Sequence, residues 1–204
     1  HNRDLMYERA KVILQDKMAA EYVWGVGFHW YSGDQFDNVA KTHDAFPDKY
    51  LIFTEGSWEY GVKLGQWDRG ERYGHHIIGD LNHWTNGWVD WNMVLDQMGG
   101  PNHAGKLCDA PIIADPCTDT VNYQSSYYYL GHFSKYIEPG AKRIDCRSND
   151  RHLETTAFEN PDGSIVAVVL NCSERYYEYQ LKMSLKSVDL VSPAHSITSL
   201  IIET

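Results

Sequence analysis

The sequence predicts an α/β part in residues 1–138, followed by an all-β part in residues 139–204. In the first part, segments of helical period alternate with short apolar segments, which is the order of βα units that build a parallel sheet. In the second part, short segments rich in β-branched residues are separated by turns such as Pro161-Asp162-Gly163, as is typical of an antiparallel sandwich. Pro139-Gly140 marks the boundary.

The predicted elements follow from this periodicity. Asp34 is expected to cap the second helix. Residues 50–54 form a nearly continuous apolar run, as expected of a buried parallel strand, and a long polar loop is expected after Gly99-Gly100-Pro101. The helices are predicted at residues 4–20, 34–43, 62–84 and 126–137, and the strands at 23–31, 50–54, 88–94, 142–146, 154–159, 164–171, 177–183 and 196–203.

The first part contains about three βα units, which are too few to close a barrel of eight. An open sheet of three parallel strands would leave an edge and a face exposed, which makes a poor independent fold. We therefore expect residues 1–138 to be a part of something larger.

Composition and short sequence signals disfavour nucleic-acid binding, membrane-spanning segments and metal sites. A formal net charge of −10 disfavours nucleic acid as a partner, because phosphate backbones attract clustered Lys and Arg. No apolar run is long enough for a transmembrane segment, and no signal peptide is visible. The four cysteines lack zinc-binding spacing; Cys108 and Cys117 either form a disulfide or are free thiols. His75 and His76 are neighbours on a helix and point in different directions, so no metal site is expected.

All seven tryptophans lie between residues 24 and 91. Indole rings stack on the apolar faces of sugars, and they also fill protein cores. For Trp24, Trp67 and Trp84 we expect a place in the core.

Polar and aromatic residues end each predicted strand of the first part. His29 and Tyr31 end the first, Glu55 ends the second, and Trp91 and Asn92 end the third. In βα barrels the active site lies at the carboxyl ends of the strands. A carboxylate after an apolar strand is costly to bury unless it is hydrogen-bonded or functional. These side chains are therefore candidates for a shared sugar-binding site, with a satisfied core role as the alternative for His29 and Tyr31.

Several segments, in order, resemble glycoside hydrolase family 30, the glucosylceramidase family. The segments are residues 25–31, 53–55, 88–92, 99–102, 109–113, 130–135, 161–164 and 168–171. Taken together, the match covers essentially the whole chain. The resemblance implies the C-terminal part of a (β/α)8 TIM barrel followed by a β-sandwich, and retaining hydrolysis by two glutamates.

The resemblance also assigns roles. It implies that Glu55 is the nucleophile, that Tyr31 approaches it, and that Trp91 lines the sugar subsite. Asn102 would offer a hydrogen bond near the entrance, and Trp58 would contact substrate at the rim. The family's acid/base lies in an Asn-Glu-Pro motif that does not occur in this sequence, so we expect it in an N-terminal portion of the same barrel, as a separate chain or missing segment. The reaction needs no cofactor, only two carboxyls and water.

Alternatives stay open at this point. Residues 56–59 depart from the mammalian lipid-cleaving members, so a bacterial-type β-glucosidase or an endo-β-1,6-glucanase is as consistent with the sequence as an enzyme that releases ceramide. A non-catalytic carbohydrate-binding module built on the sandwich is a further alternative. It would need aromatic residues but no buried acid, so Glu55 favours the enzyme. The compartment is open between secreted, lysosomal and cytoplasmic.

Overall fold

The structure of the chain is a computed structural model that describes residues 1–101 and 104–203. A 3-10 turn, Arg3–Leu5, precedes the helices. The helices are α1 (Met6–Leu14), α2 (Lys17–Ala20), α3 (Phe36–Ala45), α4 (Trp67–Asn82) and α5 (Ser125–Ser134). The strands are β1 (Gly25–His29), β2 (Tyr50–Glu55), β3 (Gly87–Trp88), β4 (Val94–Asp96), β5 (Ile112–Asp115), β6 (Thr120–Tyr123), β7 (Lys142–Ile144), β8 (Leu153–Glu159), β9 (Ile165–Asn171), β10 (Tyr177–Met183), β11 (Lys186–Ser192) and β12 (Ser196–Ile202). Within the described part, no helix has the length and apolar character needed to cross a bilayer.

The chain forms two compact units. The first comprises His1–Gly65 with Gly79–Gln124, and the second comprises Gln66–Ile78 with Ser125–Thr204. Each unit combines two separate segments of the chain. The single boundary that the sequence predicts between residues 138 and 139 stays a prediction.

The first unit is built on a parallel sheet in the order β1-β2-β3. Leu51 and Phe53 of β2 and Phe28 of β1 are fully buried, as the apolar run of β2 predicts. A second sheet in this unit has the order β4-β5-β6, with β4 and β5 parallel and β5 and β6 antiparallel. The alternation of helices and parallel strands in residues 1–88 agrees with the prediction.

Several predicted bounds are wrong. The first helix is interrupted because the Asp16 carboxylate accepts hydrogen bonds from the backbone N–H groups of Met18 and Ala19 and starts α2. Asp34 does not cap α3, because Gln35 occupies the cap position in the left-handed region at φ 32°. The strand predicted at 88–94 is divided between two sheets, and the polar loop expected after residue 99 contains β5 and β6.

The helix predicted at residues 62–84 is shorter in the structure, where α4 covers Trp67–Asn82. Gly65 at φ 77° and Trp84 at φ 73° lie in the left-handed region, which a right-handed helix does not include. The tryptophans expected in the core are exposed: Trp24 by 62%, Trp67 by 47% and Trp84 by 49%. Trp24 stacks on Tyr50 with ring centroids 4.4 Å apart, so one indole face packs while the other meets solvent.

A buried ion pair connects distant segments of the first unit. Arg3 donates to both carboxylate oxygens of Asp80, at 2.9 and 2.6 Å, and both side chains are fully buried. The Trp88 indole N–H donates to the same carboxylate at 3.1 Å. The Arg3 guanidinium also lies 5.7 Å from the ring centroid of Phe53. This network satisfies the buried carboxylate and anchors β3 beside β2.

The second unit holds a four-stranded antiparallel sheet in the order β12-β9-β8-β7 and a separate antiparallel pair, β10-β11. Residues 166–170 of β9 are all at most 3% exposed and form its core. The short strands predicted here are present, within one or two residues at their ends. Strand β11 is missing from the prediction because charged and apolar residues mix along it without a long apolar run.

The cysteines form no disulfide, and Asn171 has a structural role in the second unit. All four cysteines are free, so Cys108 and Cys117 form no disulfide. Asn171 is fully buried. Its side-chain amide donates to the backbone carbonyls of Arg175, Ser192 and Pro193 at 2.8, 3.3 and 2.8 Å. This amide therefore connects the end of β9 to the turns around it.

Candidate active site

The carboxyl ends of β1 and β2 bring two predicted site residues side by side. His29 pairs with Glu55 in the parallel register, after an irregularity between Phe28 and His29. Asn2 forms a parallel bridge with His29 on the other side. Because parallel strands place their carboxyl ends at one edge of the sheet, the side chains that follow them share one surface.

Glu55 is the centre of this surface. Its Oε1 accepts a hydrogen bond from the Tyr31 hydroxyl at 3.2 Å and lies 3.9 Å from Nδ1 of His29. The Glu55 side chain is 28% exposed and that of His29 is 25% exposed, so both are partly shielded yet reachable. A carboxylate held in this way has a defined orientation and keeps one face open.

The environment sets the protonation of the two neighbours. Burial raises the pKa of the Tyr31 phenol, and the Glu55 carboxylate raises it further by its charge and its hydrogen bond. Tyr31 therefore stays protonated and donates to Glu55. Burial lowers the pKa of His29, while the charge of Glu55 opposes this shift. A neutral imidazole beside Glu55 is the consequence at neutral pH.

Trp91 reaches the same surface through backbone hydrogen bonds. The N–H of Trp91 donates to the Gly56 carbonyl at 3.1 Å, and the N–H of Val89 donates to the Phe53 carbonyl at 2.9 Å. These bonds continue the pairing of β2 and β3 beyond the ends of the strands. The Trp91 side chain is 45% exposed, so its ring is available to a ligand.

Packed aromatic rings surround the backbone next to Glu55. The Phe53 ring stacks on Trp88 with centroids 4.1 Å apart, and the buried Trp30 ring lies edge-on to both. Gly56 is required at its position, because a Cβ there would come within 2.9 Å of the Phe53 ring. The backbone on both sides of Glu55 is thus fixed by rigid rings.

His29, Tyr31, Glu55 and Trp91 line an open cleft of about 590 Å³. It lies entirely in the first unit. The residues that line it are His1, Asn2, His29, Tyr31, Glu55, Ser57, Glu59, Trp91, Ala104, Lys106 and Cys108.

The structure brings together four of the residues proposed from the sequence: His29, Tyr31, Glu55 and Trp91. Asn92 and Trp58 do not line this cleft, and a contact between either residue and substrate stays a prediction. Asn102 lies outside the described residues.

Sequence reasoning did not find the second wall of the cleft. Ser57 and Glu59 lie shortly after Glu55 in the sequence, and that proximity is the signal that could have placed them at the cleft. Lys106 and Cys108 come from a distant loop that carries no motif. Glu59 bridges to Cys108 in antiparallel fashion.

The arrangement suits chemistry at a sugar. It offers a partly shielded carboxylate, a phenol that holds it, and an indole wall of the kind that packs on sugar rings. The cleft of about 590 Å³ falls within the range of about 300–1,000 Å³ that is typical of small-molecule sites.

Comparisons with known proteins agree on one family. The profile of the glycosyl hydrolase family 30 TIM-barrel domain matches residues 1–137, and that of the glycosyl hydrolase family 30 beta sandwich domain matches residues 140–200. The lysosomal acid glucosylceramidase of Mus musculus is 42% identical to this chain over 207 aligned positions, which cover 96% of this chain.

Solved structures agree as well. SrfJ from Salmonella typhimurium superposes with a TM-score of 0.96 at 34% identity and covers 100% of this chain. An endo-β1,6-glucanase superposes with a TM-score of 0.87 at 28% identity, also over 100% of this chain. The chain spans 40% of the mouse relative and 46% and 48% of these two structures. The predicted fold class, the C-terminal part of a TIM barrel followed by an antiparallel β-sandwich, is confirmed.

Proposed function

Because the chain belongs to glycoside hydrolase family 30, we propose that it supplies the nucleophile Glu55 of a retaining glycosidase that cleaves β-glucosidic bonds. The hydrogen bond from Tyr31 to Glu55 at the cleft is the observation that carries this proposal. In domain terms, we propose that residues 1–138 belong to the catalytic barrel and residues 139–204 to the sandwich.

The proposed reaction has two steps. In the first, Glu55 attacks the anomeric carbon while the glycosidic bond breaks and the leaving oxygen takes a proton from an acid. In the second, water releases the sugar from Glu55 and gives up a proton to the same group, now a base. Tyr31 holds one oxygen of the carboxylate, so the other can face the sugar. Trp91 provides the wall on which the sugar ring packs.

The proton donor is a second carboxyl, which retaining enzymes place roughly 5 Å from the nucleophile. We propose that it comes from the N-terminal portion of the same barrel, since this sequence contains no Asn-Glu-Pro. Glu159-Asn160-Pro161 holds the same residue types in another order, and it lies at the end of β8 in the second unit. The isolated chain is then expected to be inactive on natural glycosides.

The substrate we propose is a β-linked glucoside or oligosaccharide. Similarity to a lysosomal acid glucosylceramidase supports a β-glucoside. A second candidate, endo-β-1,6-glucanase action, is favoured by a Neurospora crassa endo-1,6-beta-D-glucanase that is 27% identical over 164 residues and by the endo-β1,6-glucanase fold match.

The stereochemistry of the first-formed product tests the mechanism. The full-length protein is mixed with an aryl β-glucoside, and proton NMR follows the anomer that appears before mutarotation. The β-anomer is expected, and an initial α-anomer would contradict retention. Glu55→Gln should lower kcat by several orders of magnitude. A matched control, Glu8→Gln, changes an exposed glutamate that does not line the cleft and should keep normal activity.

A further inference from the structure

One charged pair lies in the cleft without a part in the proposed reaction. Lys106 Nζ lies 3.5 Å from Glu59 Oε1, and both residues line the same cleft as Glu55. The Lys106 side chain is 72% exposed and that of Glu59 is 41% exposed. An exposed pair of this kind adds little to stability, about 0–1 kcal/mol, so exchanging it for contacts with a ligand would cost the fold little.

Backbone hydrogen bonds hold the pair in position. The Gly61 N–H donates to the Leu107 carbonyl at 2.9 Å, and the Asp109 N–H donates to the Trp58 carbonyl at 2.8 Å. These bonds join the loop after β2 to the loop before β5 on both sides of the bridge between Glu59 and Cys108. The two charges are therefore presented by a braced pair of loops, not by independent flexible segments.

We propose that Glu59 and Lys106 form a subsite for the leaving group and select a hydroxylated one, a second sugar, over a hydrocarbon chain. This inference rests on the proposed function, since it assumes that Glu55 holds the sugar being transferred. Glu59 can only accept hydrogen bonds from hydroxyl groups, and Lys106 can only donate to them. A sugar ring satisfies both, with little loss relative to water.

A hydrocarbon leaving group would behave differently here. It would displace water from both charges and return no hydrogen bond, which is unfavourable for a carboxylate and an ammonium alike. Exposed apolar residues do stand next to the pair: Tyr60 is 89% exposed and Leu107 is 43% exposed. An alkyl chain could reach Tyr60 and Leu107 only by displacing water from the two charged side chains. A sugar ring can pack on an aromatic face and hydrogen-bond to charged groups at the same time. The charged pair thus favours the sugar.

A ratio of specificity constants tests the subsite in the full-length protein. We would measure kcat/KM for a β-1,6-linked glucose disaccharide, an octyl β-glucoside and an aryl β-glucoside. The wild type should prefer the disaccharide to the octyl glucoside. In Glu59→Ala/Lys106→Ala the ratio of disaccharide to octyl glucoside should fall about tenfold or more, as expected when hydrogen bonds to charged groups are lost.

The pair Glu8 and Lys41 supplies the matched control, because it is also an exposed ion pair, with 3.8 Å between its charged atoms, and it does not line the cleft. Glu8→Ala/Lys41→Ala should leave the ratio unchanged. An unchanged ratio in the Glu59 and Lys106 variant, or a wild type that prefers the octyl glucoside, would overturn the subsite. Failure of the wild type to cleave the aryl glucoside would instead overturn the proposed function, and the subsite with it.

Discussion

The hydroxyl of Tyr31 lies 3.2 Å from Oε1 of Glu55, although the two residues follow different strands of the sheet. The parallel pairing of β1 with β2 creates this contact, because it aligns the carboxyl ends of both strands. A phenol whose pKa is raised by burial and by the neighbouring carboxylate keeps its proton, so it acts as a fixed donor. The contact couples the fold directly to the orientation of the proposed nucleophile.

Removal of that donor should slow the reaction. In Tyr31→Phe the ring remains and only the hydrogen bond to Glu55 is lost. A hydrogen bond to a charged group contributes about 1.5–3 kcal/mol, so kcat/KM of the full-length protein should fall about 10- to 100-fold. Steady-state kinetics on an aryl β-glucoside measures this. A variant with wild-type kcat/KM would show that Tyr31 does not orient Glu55.

The buried pair of Arg3 and Asp80 should matter for folding. Asp80→Asn leaves a buried guanidinium without its carboxylate, and such a change costs about 3–5 kcal/mol of unfolding free energy. Replacement of both charges, in Arg3→Met/Asp80→Leu, should recover much of this loss because no uncompensated charge remains. Chemical denaturation measures both variants. Equal losses in the single and double variants would contradict an electrostatic origin.

His195 should make the stability of the second unit depend on pH. Hydrogen bonds to Glu174 and Glu71 raise the pKa of His195 above its ordinary value of 6.5. Its ring nitrogens lie 3.1 Å from Glu174 Oε1 and 2.7 Å from Glu71 Oε1. A raised pKa means that the stabilisation is fully present below pH 6.5 and disappears as the pH rises through the folded-state pKa.

The test compares the wild type with His195→Asn. The thermal unfolding midpoint of the variant should lie below that of the wild type under acidic conditions, and the gap should narrow at alkaline pH. A gap that stays constant across the pH range would show that the charge on His195 does not contribute.

Asn171 should be important for stability despite its polarity. Its buried amide donates to carbonyls of Arg175, Ser192 and Pro193, so Asn171→Ala leaves these acceptors without that donor. We expect a loss of about 2–3 kcal/mol in unfolding free energy. Asn149→Ala, at an exposed position, should change it by less than about 0.5 kcal/mol. Similar effects at both sites would contradict a structural role for the Asn171 amide.

Local patterns in the sequence predicted the features that short segments determine. The apolar run that ends at Glu55 is enough to place a buried strand and a carboxylate at its end. Helix ends were missed where one residue adopts a positive φ, as at Gly65 and Trp84, because such a conformation depends on neighbours that lie far away in sequence. Trp84, expected in the core, instead stacks on His43 with centroids 4.0 Å apart.

The second wall of the cleft was missed for the same reason. Lys106 meets Glu59 only because long-range backbone bonds join their loops, and neither loop carries a pattern that reveals this. Strands β5 and β6 are short, and polar residues surround them, so the region reads as a loop until the pairing is known. Local patterns in a single sequence do not reveal which distant segments pair with one another.

Covalent labelling identifies the nucleophile directly. A 2-fluoro β-glucoside with a good leaving group forms the glycosyl-enzyme and hydrolyses it slowly, so the nucleophile stays labelled. The full-length protein is treated with this reagent, digested, and mapped by mass spectrometry. We expect a single label on Glu55, and no label in Glu55→Gln. A label on any other residue, or an unchanged label in Glu55→Gln, would contradict the assignment of Glu55 as the nucleophile.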